Sequence, residues 1–184
     1  MSAPWYPSPN PGGNNRKLVR DSVADYITAQ AVPGLDHVYP TLPPVWGFDV
    51  FAHTGTDFGM LVAVRVPTDS EDREAFTGPT DRGGKMLRYP VELLLRHWSY
   101  LPMDDDLAER AEDDYDRLYE ALKDCLRGPG RDLGRPDVFL SAGESPRQGG
   151  ITGQHEDPVI MPGGALLRVG VLAFTVVQYL VQYP

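Results

Sequence analysis

Residues 166–184 read LLRVGVLAFTVVQYLVQYP, and this stretch decides the fold. Between Val169 and Val177 there is no charged residue. Both alternating sets are apolar: Val169, Val171, Ala173 and Val177 on one side, Leu172, Phe174 and Val176 on the other. Strand side chains alternate between two faces, so this strand needs cover on both. At about 3.3 Å per residue, residues 166–182 would span roughly 55 Å as an unbroken strand. A compact chain of 184 residues has a radius of gyration of about 16 Å and is only about 40 Å across. The strand is therefore expected to bend, to break, or to carry its far end into a partner. Gln178, Tyr179, Gln182 and Tyr183 are the contact candidates at that end. Gln178 and Gln182 interrupt the run and β-branched residues dominate it, which argues against a membrane-spanning helix.

The periodicity of residues 87–100 predicts a second, half-buried strand. Leu87, Tyr89, Val91, Leu93 and Leu95 form one face; Arg88, Pro90, Glu92, Leu94, Arg96 and Trp98 form the other. Pro90 favours an edge position or a bulge. Arg88, Glu92 and Arg96 make a charged row that suits either a subunit contact or a solvated sheet face, and with Trp98 they are interface candidates. Residues 58–66, FGMLVAVRV, alternate in the same way. With VWGFDVF at 45–51 they predict a hairpin. The stretch 35–44 is too proline-rich for a regular element.

Two helices complete the core. Val19, Val23, Ile27 and Ala31 recur every four residues over 15–31, and Pro33-Gly34 ends the helix. Ala111, Tyr115, Leu118, Leu122 and Leu126 continue a stripe begun by Leu107 over 104–127, with the Asp104-Asp105-Asp106 run at the N-cap. That second helix carries ten carboxylates against three bases between Asp104 and Asp124, which predicts an intensely acidic, solvated face. The order of elements is that of an α+β fold, a mostly antiparallel sheet with two helices packed on one face. A proline-rich arm, residues 1–14, precedes a single domain over 15–184 with long loops at 67–85 and 128–165. Trp5 and Tyr6 of the arm are further candidates for contact with a neighbouring subunit.

The formal net charge of −9 argues against a dedicated nucleic-acid binder. The single cysteine, Cys125, excludes an intrachain disulfide, and the N-terminus has no signal-peptide pattern. No nucleotide-binding, serine-hydrolase or zinc-protease motif is present. His37, His53, His97 and His155 are scattered without metal-ligand spacing, and His155-Glu156-Asp157 lies in a glycine-rich segment expected to lack a rigid scaffold. Asp113 and Asp114 read as part of a charged helix face and Cys125 as inert packing. The expectation is a protein without catalytic residues, metal or cofactor.

In order of elements the chain resembles the tail terminator proteins of long-tailed, siphovirus-like bacteriophages. The resemblance rests on RKLVRDSVADYITAQ, MLVAVRV, LRYPVELLLRHW, LAERAEDDYDRLYEALKDCL and VGVLAFTVVQYLVQ, in that succession. It implies a homohexameric ring that caps the tail tube, ends tube polymerisation and receives the head-tail connector or head-completion protein. It also implies a place in the virion at the head-proximal end of the tail, reached from the host cytoplasm, with DNA passing through the bore unread. Loops 67–84 and 141–157 would then make the axial contacts. Related tail proteins share such a fold, so a tail tube subunit or a head-tail joining protein stays open. A small-molecule binder or enzyme is the alternative of another class; it would need a buried cluster of shifted carboxylates about His155 or Asp57.

Overall fold

Two long strands form the spine of a computed structural model that describes residues 15–43, 58–67, 72–76, 84–100, 105–128, 132–135, 140–143, 150–161 and 165–180. Numbered in chain order, they are β4 (Gly84–Tyr100) and β8 (Ala165–Leu180). Sixteen residue pairs join them in an antiparallel ladder, from Lys85↔Leu180 to Tyr100↔Ala165, with no register shift. A flat ribbon of that length would run about 54 Å; the sheet is instead strongly curled, as twisted strands of L-residues allow. Curvature, together with a companion strand of similar length, absorbs the excess that the terminal run carries.

Short strands line both outer edges of this ribbon. Along β4 lie β2 (Phe58–Arg65), paired with residues 92–99, and β3 (Asp72–Phe76), paired with residues 84–88. Pro90 falls in the gap between them, where no described strand pairs with β4 on that side, a local edge of the kind its missing N–H favours. Along β8 lie β7 (Val159–Met161), β6 (Thr152–His155) and β5 (Leu140–Ala142), in that order from its start. β1 (Leu35–Tyr39) closes the other side, parallel to β2.

Several of these strands correct the sequence reading. The five residues LDHVY of β1 precede the prolines that made 35–44 look irregular. Along residues 60–63 both edges of β2 are occupied, by β1 and β4, so no hairpin partner can pair there. The expected strand 45–51, the arm 1–14 with Trp5 and Tyr6, and residues 181–184 with Gln182 and Tyr183 lie outside the described residues. β3 lies inside the expected loop 67–85, and β6 and β7 lie inside the expected loop 128–165; β5 starts at Leu140, the last residue of VFL (138–140), which the sequence reads as a short strand. DREAF and TGQH have no apolar alternation; they pair through backbone groups, which carry no sequence signature.

The helices α1 (Asn15–Ala29) and α2 (Asp105–Arg127) pack on one face of the sheet. α1 ends two residues earlier than its apolar spacing suggests, because Ala31 turns into the left-handed region with φ 48°. Tyr26 of α1 donates its hydroxyl to the Cys125 carbonyl of α2 at 2.9 Å, tying the two helices. Leu118, Leu122 and Leu126 of α2 are fully buried against Leu93, Leu95, Leu172 and Val176. Burying each leucine contributes about 2 kcal/mol.

Two glycines let α2 approach the sheet. A Cβ on Gly170 of β8 would lie 2.2 Å from the Tyr115 hydroxyl, and one on Gly153 of β6 would lie 1.4 Å from the Tyr119 hydroxyl. Any larger residue would collide with buried, rigid phenol rings.

Candidate functional site

The sheet face opposite the helices is the first candidate. Alternation places Leu61, Ala63 and Arg65 of β2, Arg88 to Trp98 at even positions of β4, and Ala165 to Val177 at odd positions of β8 on that face. At one end it is sealed: Leu61, Trp98 and Leu167 form a small second core, with Tyr39, Met161 and Val169 packed on it. Gly59 makes room there for Asp36 and Trp98, since a Cβ would lie 2.2 Å from Asp36 Oδ2 and 2.6 Å from Trp98 Nε1. Burial pushes the Asp36 carboxyl up, and the nearby Asp114 adds to this, against a hydrogen bond with the Met60 backbone.

Towards the middle the cover thins. Pro90, Leu94, Val169, Val171, Ala173 and Thr175 are all half-buried. Leu94 stands directly between Ala63 and Val171. Charge borders this patch: Arg65 donates to the Glu92 carboxylate at 2.8 Å, with Arg88 and Arg96 on either side. Desolvation lowers the pKa of the Arg96 guanidinium, opposed by Glu156. At the rim, edge strand β7 exposes Val159 (51%) on this face and Ile160 (70%) on the other. An apolar centre ringed by charge, running to an exposed apolar edge, has the composition of a protein contact surface.

The second candidate is a polar layer beneath the N-terminal half of α2. His97, fully buried, gives its Nε2 proton to Asp114 Oδ2 at 3.0 Å. Asp114 also takes a hydrogen bond from Arg117 at 2.6 Å, and Arg117 reaches on to the Pro33 carbonyl at 3.0 Å. Desolvation lowers the His97 pKa, against the pull of Asp114. Burial raises that of Asp114, but the hydrogen bonds from Arg117 and His97 outweigh it and hold the carboxyl below its ordinary range. On the same part of α2, Arg168 donates Nε to Glu112 at 2.7 Å, and the Tyr115 hydroxyl meets His155 Nδ1 at 2.8 Å. The Tyr119 ring lies 4.4 Å from that imidazole.

Beside this layer is a pocket of about 220 Å³ lined by Glu112, Tyr115, Asp116, His155, Glu156, Pro158 and Arg168. His155 does not sit in a scaffold-free loop, as the sequence suggested. It ends β6, opposite Gly170, and is held by Tyr115. Yet Glu112, Asp116 and Glu156 are exposed, so the pocket lacks the desolvated carboxylate that acid-base chemistry uses. Among the described residues no group of three or more His, Cys, Asp or Glu side chains is placed to hold a metal ion. Cys125 is half-buried and burial raises its thiol pKa, with Asp124 adding to the effect.

The expected contact residues divide between surface and interior. Arg88, Glu92 and Arg96 lie on the open face as the alternation predicts. Trp98 shares that face but is 1% exposed, so it is a core anchor and offers no surface. Gln178 is also 1% exposed; it turns under the helices and accepts a hydrogen bond from Tyr89 at 3.1 Å. Its place in the ladder opposite Leu87 and Leu140 decides this, because both are buried on the helix side. Tyr179 belongs to β8 and pairs with Met86. The polar layer was missed although it had a signal: His97 and Arg168 interrupt the apolar sets Leu87 to Leu95 and Leu172 to Val176 on the faces turned to the helices.

Compared with known proteins, the chain matches no protein-family model and has no significant match among curated proteins. Among the described residues no helix is long and apolar enough to cross a membrane.

Proposed function

We propose that this chain is a structural assembly protein, a tail terminator of a long-tailed bacteriophage. It forms a homohexameric ring, caps the tail tube and presents its other side to the head-tail connector. One observation carries the assembly part of this reading. The sheet face opposite the helices holds a half-buried apolar patch, Leu94 with Val169, Val171 and Ala173, continuous with the exposed Val159 of β7. A neighbouring subunit would bury that patch and the β7 edge together, and a closed ring gives each subunit two such neighbours. The order of elements quoted above is what suggests the terminator among assembly proteins; related tail proteins share such a fold.

Negative-stain microscopy of the purified protein, alone and with tail tube subunits, tests the reading. Six-fold rings seated on tube ends are expected. A chain that stays monomeric and ignores tubes would sink it. Tail length separates the neighbouring roles: loss of a terminator yields aberrantly long tubes, whereas loss of a tube subunit yields none.

A further inference from the structure

We infer that the groove between the N-terminal half of α2 and the β6–β7 segment docks an extended segment of a partner protein, one that carries a lysine or arginine two residues from an apolar side chain. The inference goes beyond the terminator reading and stands without it. A neighbour in a ring meets β7 through Val159 on the open face, whereas this groove lies on the helix side.

The shape of the groove is the first ground. Its apolar end is Ile160, which at 70% is more exposed than Leu42 and Val159, the other exposed large apolar side chains of the described residues. Ile160 stands on the helix side opposite Leu166, itself half-buried, and among the described residues β7 pairs with β8 alone. A bare apolar side chain on an edge strand marks a contact. The other end is the pocket of about 220 Å³, with Glu112 and Asp116 on its helix wall and Pro158 on its strand wall. Arg168 lines it as well, with its side chain only 7% exposed. Glu112 holds its Nε, but its Nη1 is buried without a hydrogen-bond partner. A main-chain carbonyl of a docked segment supplies one, and a buried donor left unpaired is costly. Leu166, opposite Ile160, is two residues from Arg168 along β8, about 7 Å. Alternate side chains of an extended segment have that same spacing. One can therefore rest on Ile160 while the side chain two residues away enters the pocket.

Charge is the second ground, and it selects the partner. Glu112, Asp116 and Glu120 recur at four-residue spacing along α2, all exposed. Like charges at that spacing repel one another. Arg168 offsets Glu112 at 2.7 Å and Lys123 offsets Glu120 at 2.6 Å. Asp116, between them, has no ion-pair partner among the described residues. A cationic side chain in the pocket provides it. A second copy of this chain, with a formal net charge of −9, is repelled from such a stripe, so the segment comes from another protein.

The probe is a fluorescein-labelled peptide with lysine and valine two residues apart in a serine-threonine background, titrated with the full chain and read by anisotropy. Saturable binding is expected. Asp116→Lys should weaken it about tenfold and Ile160→Ser several-fold, and added salt should weaken it too. Both positions are exposed, and circular dichroism checks that the variants fold. Equal binding of a peptide with glutamate in place of lysine overturns the proposal. So does binding that either substitution leaves unchanged, or no binding at millimolar peptide. Self-association of the free chain that Ile160→Ser abolishes also overturns it, because a second copy then covers the groove. Peptide binding by a chain that ignores tail tubes leaves the docking groove standing and removes only the terminator reading. A chain that caps tubes but binds no peptide does the reverse.

Discussion

His97 and Asp114 are joined across the interface of sheet and helix, Nε2 to Oδ2 at 3.0 Å, with the imidazole fully buried. The carboxylate can only accept, so His97 carries a proton on Nε2. Arg168, Glu112 and Tyr115 lie near it, and Arg117 holds the other oxygen of Asp114.

Acid should loosen this contact. The folded state holds the His97 pKa below its ordinary 6.5, chiefly by desolvation. The unfolded chain therefore takes up the proton first. The stability contribution is complete above that ordinary value and declines as pH falls through it, by up to about 1.4 kcal/mol per pH unit. Asp114, held low, contributes above 3.8 and loses its contribution as pH falls further. Urea titrations of wild type and His97→Gln at pH 7 and pH 5 check this. The variant should lose less stability between the two; equal losses would remove His97 as the cause.

Gly170→Ala should destabilise the chain by about 1–3 kcal/mol, because its methyl group would be driven into the Tyr115 hydroxyl. Tyr115→Phe removes the colliding oxygen together with the bond to His155. In a double-mutant cycle the two changes should therefore be strongly non-additive, with Tyr115→Phe partly rescuing Gly170→Ala. Additive costs would mean that the close approach of helix and sheet is not what excludes a side chain at 170.

A chain truncated after Val177 should fold poorly. It loses Gln178, a buried partner of Tyr89, and three rungs of the ladder with β4. This replaces the expectation that Gln178 is a contact residue at the far end of the run. Circular dichroism and thermal unfolding should separate this chain from one ending at Leu180, which keeps the whole described ribbon. Equal melting temperatures would contradict the assignment.

Val171→Asp puts a charge at the centre of the open face, opposite Leu94. Since Val171 is only half-buried, the stability cost should stay near 1 kcal/mol. On the proposed assembly reading, the variant should stay monomeric where the wild type forms rings, measured by light scattering on size-exclusion eluates. Retained assembly would move the contact surface elsewhere.

Much of the fold was legible because it obeys periodicity. The four-residue spacing of Val19, Val23 and Ile27, the stripe from Ala111 to Leu126, and the opposed sets of residues 87–98 report directly which side is buried. The short strands were not legible. DREAF and TGQH join the sheet by backbone pairing, and any polar segment can do that if the chain brings it to an edge. The same limit applied to Gln178 and Trp98, whose chemistry suggested a surface and whose neighbours made each a core residue.

The amino-acid sequence by itself determined the α+β class, two strands with distinct faces and two amphipathic helices, because burial of apolar side chains is written in their spacing. Only the tertiary structure decided which strands are neighbours, how the long ribbon curls to fit the chain, and that His97, Asp114, Tyr115, His155, Glu112 and Arg168 form one polar layer. Those depend on contacts between residues distant in the chain, such as Glu112 and Arg168, and on glycines at 153 and 170 whose role exists only once a tyrosine stands over them.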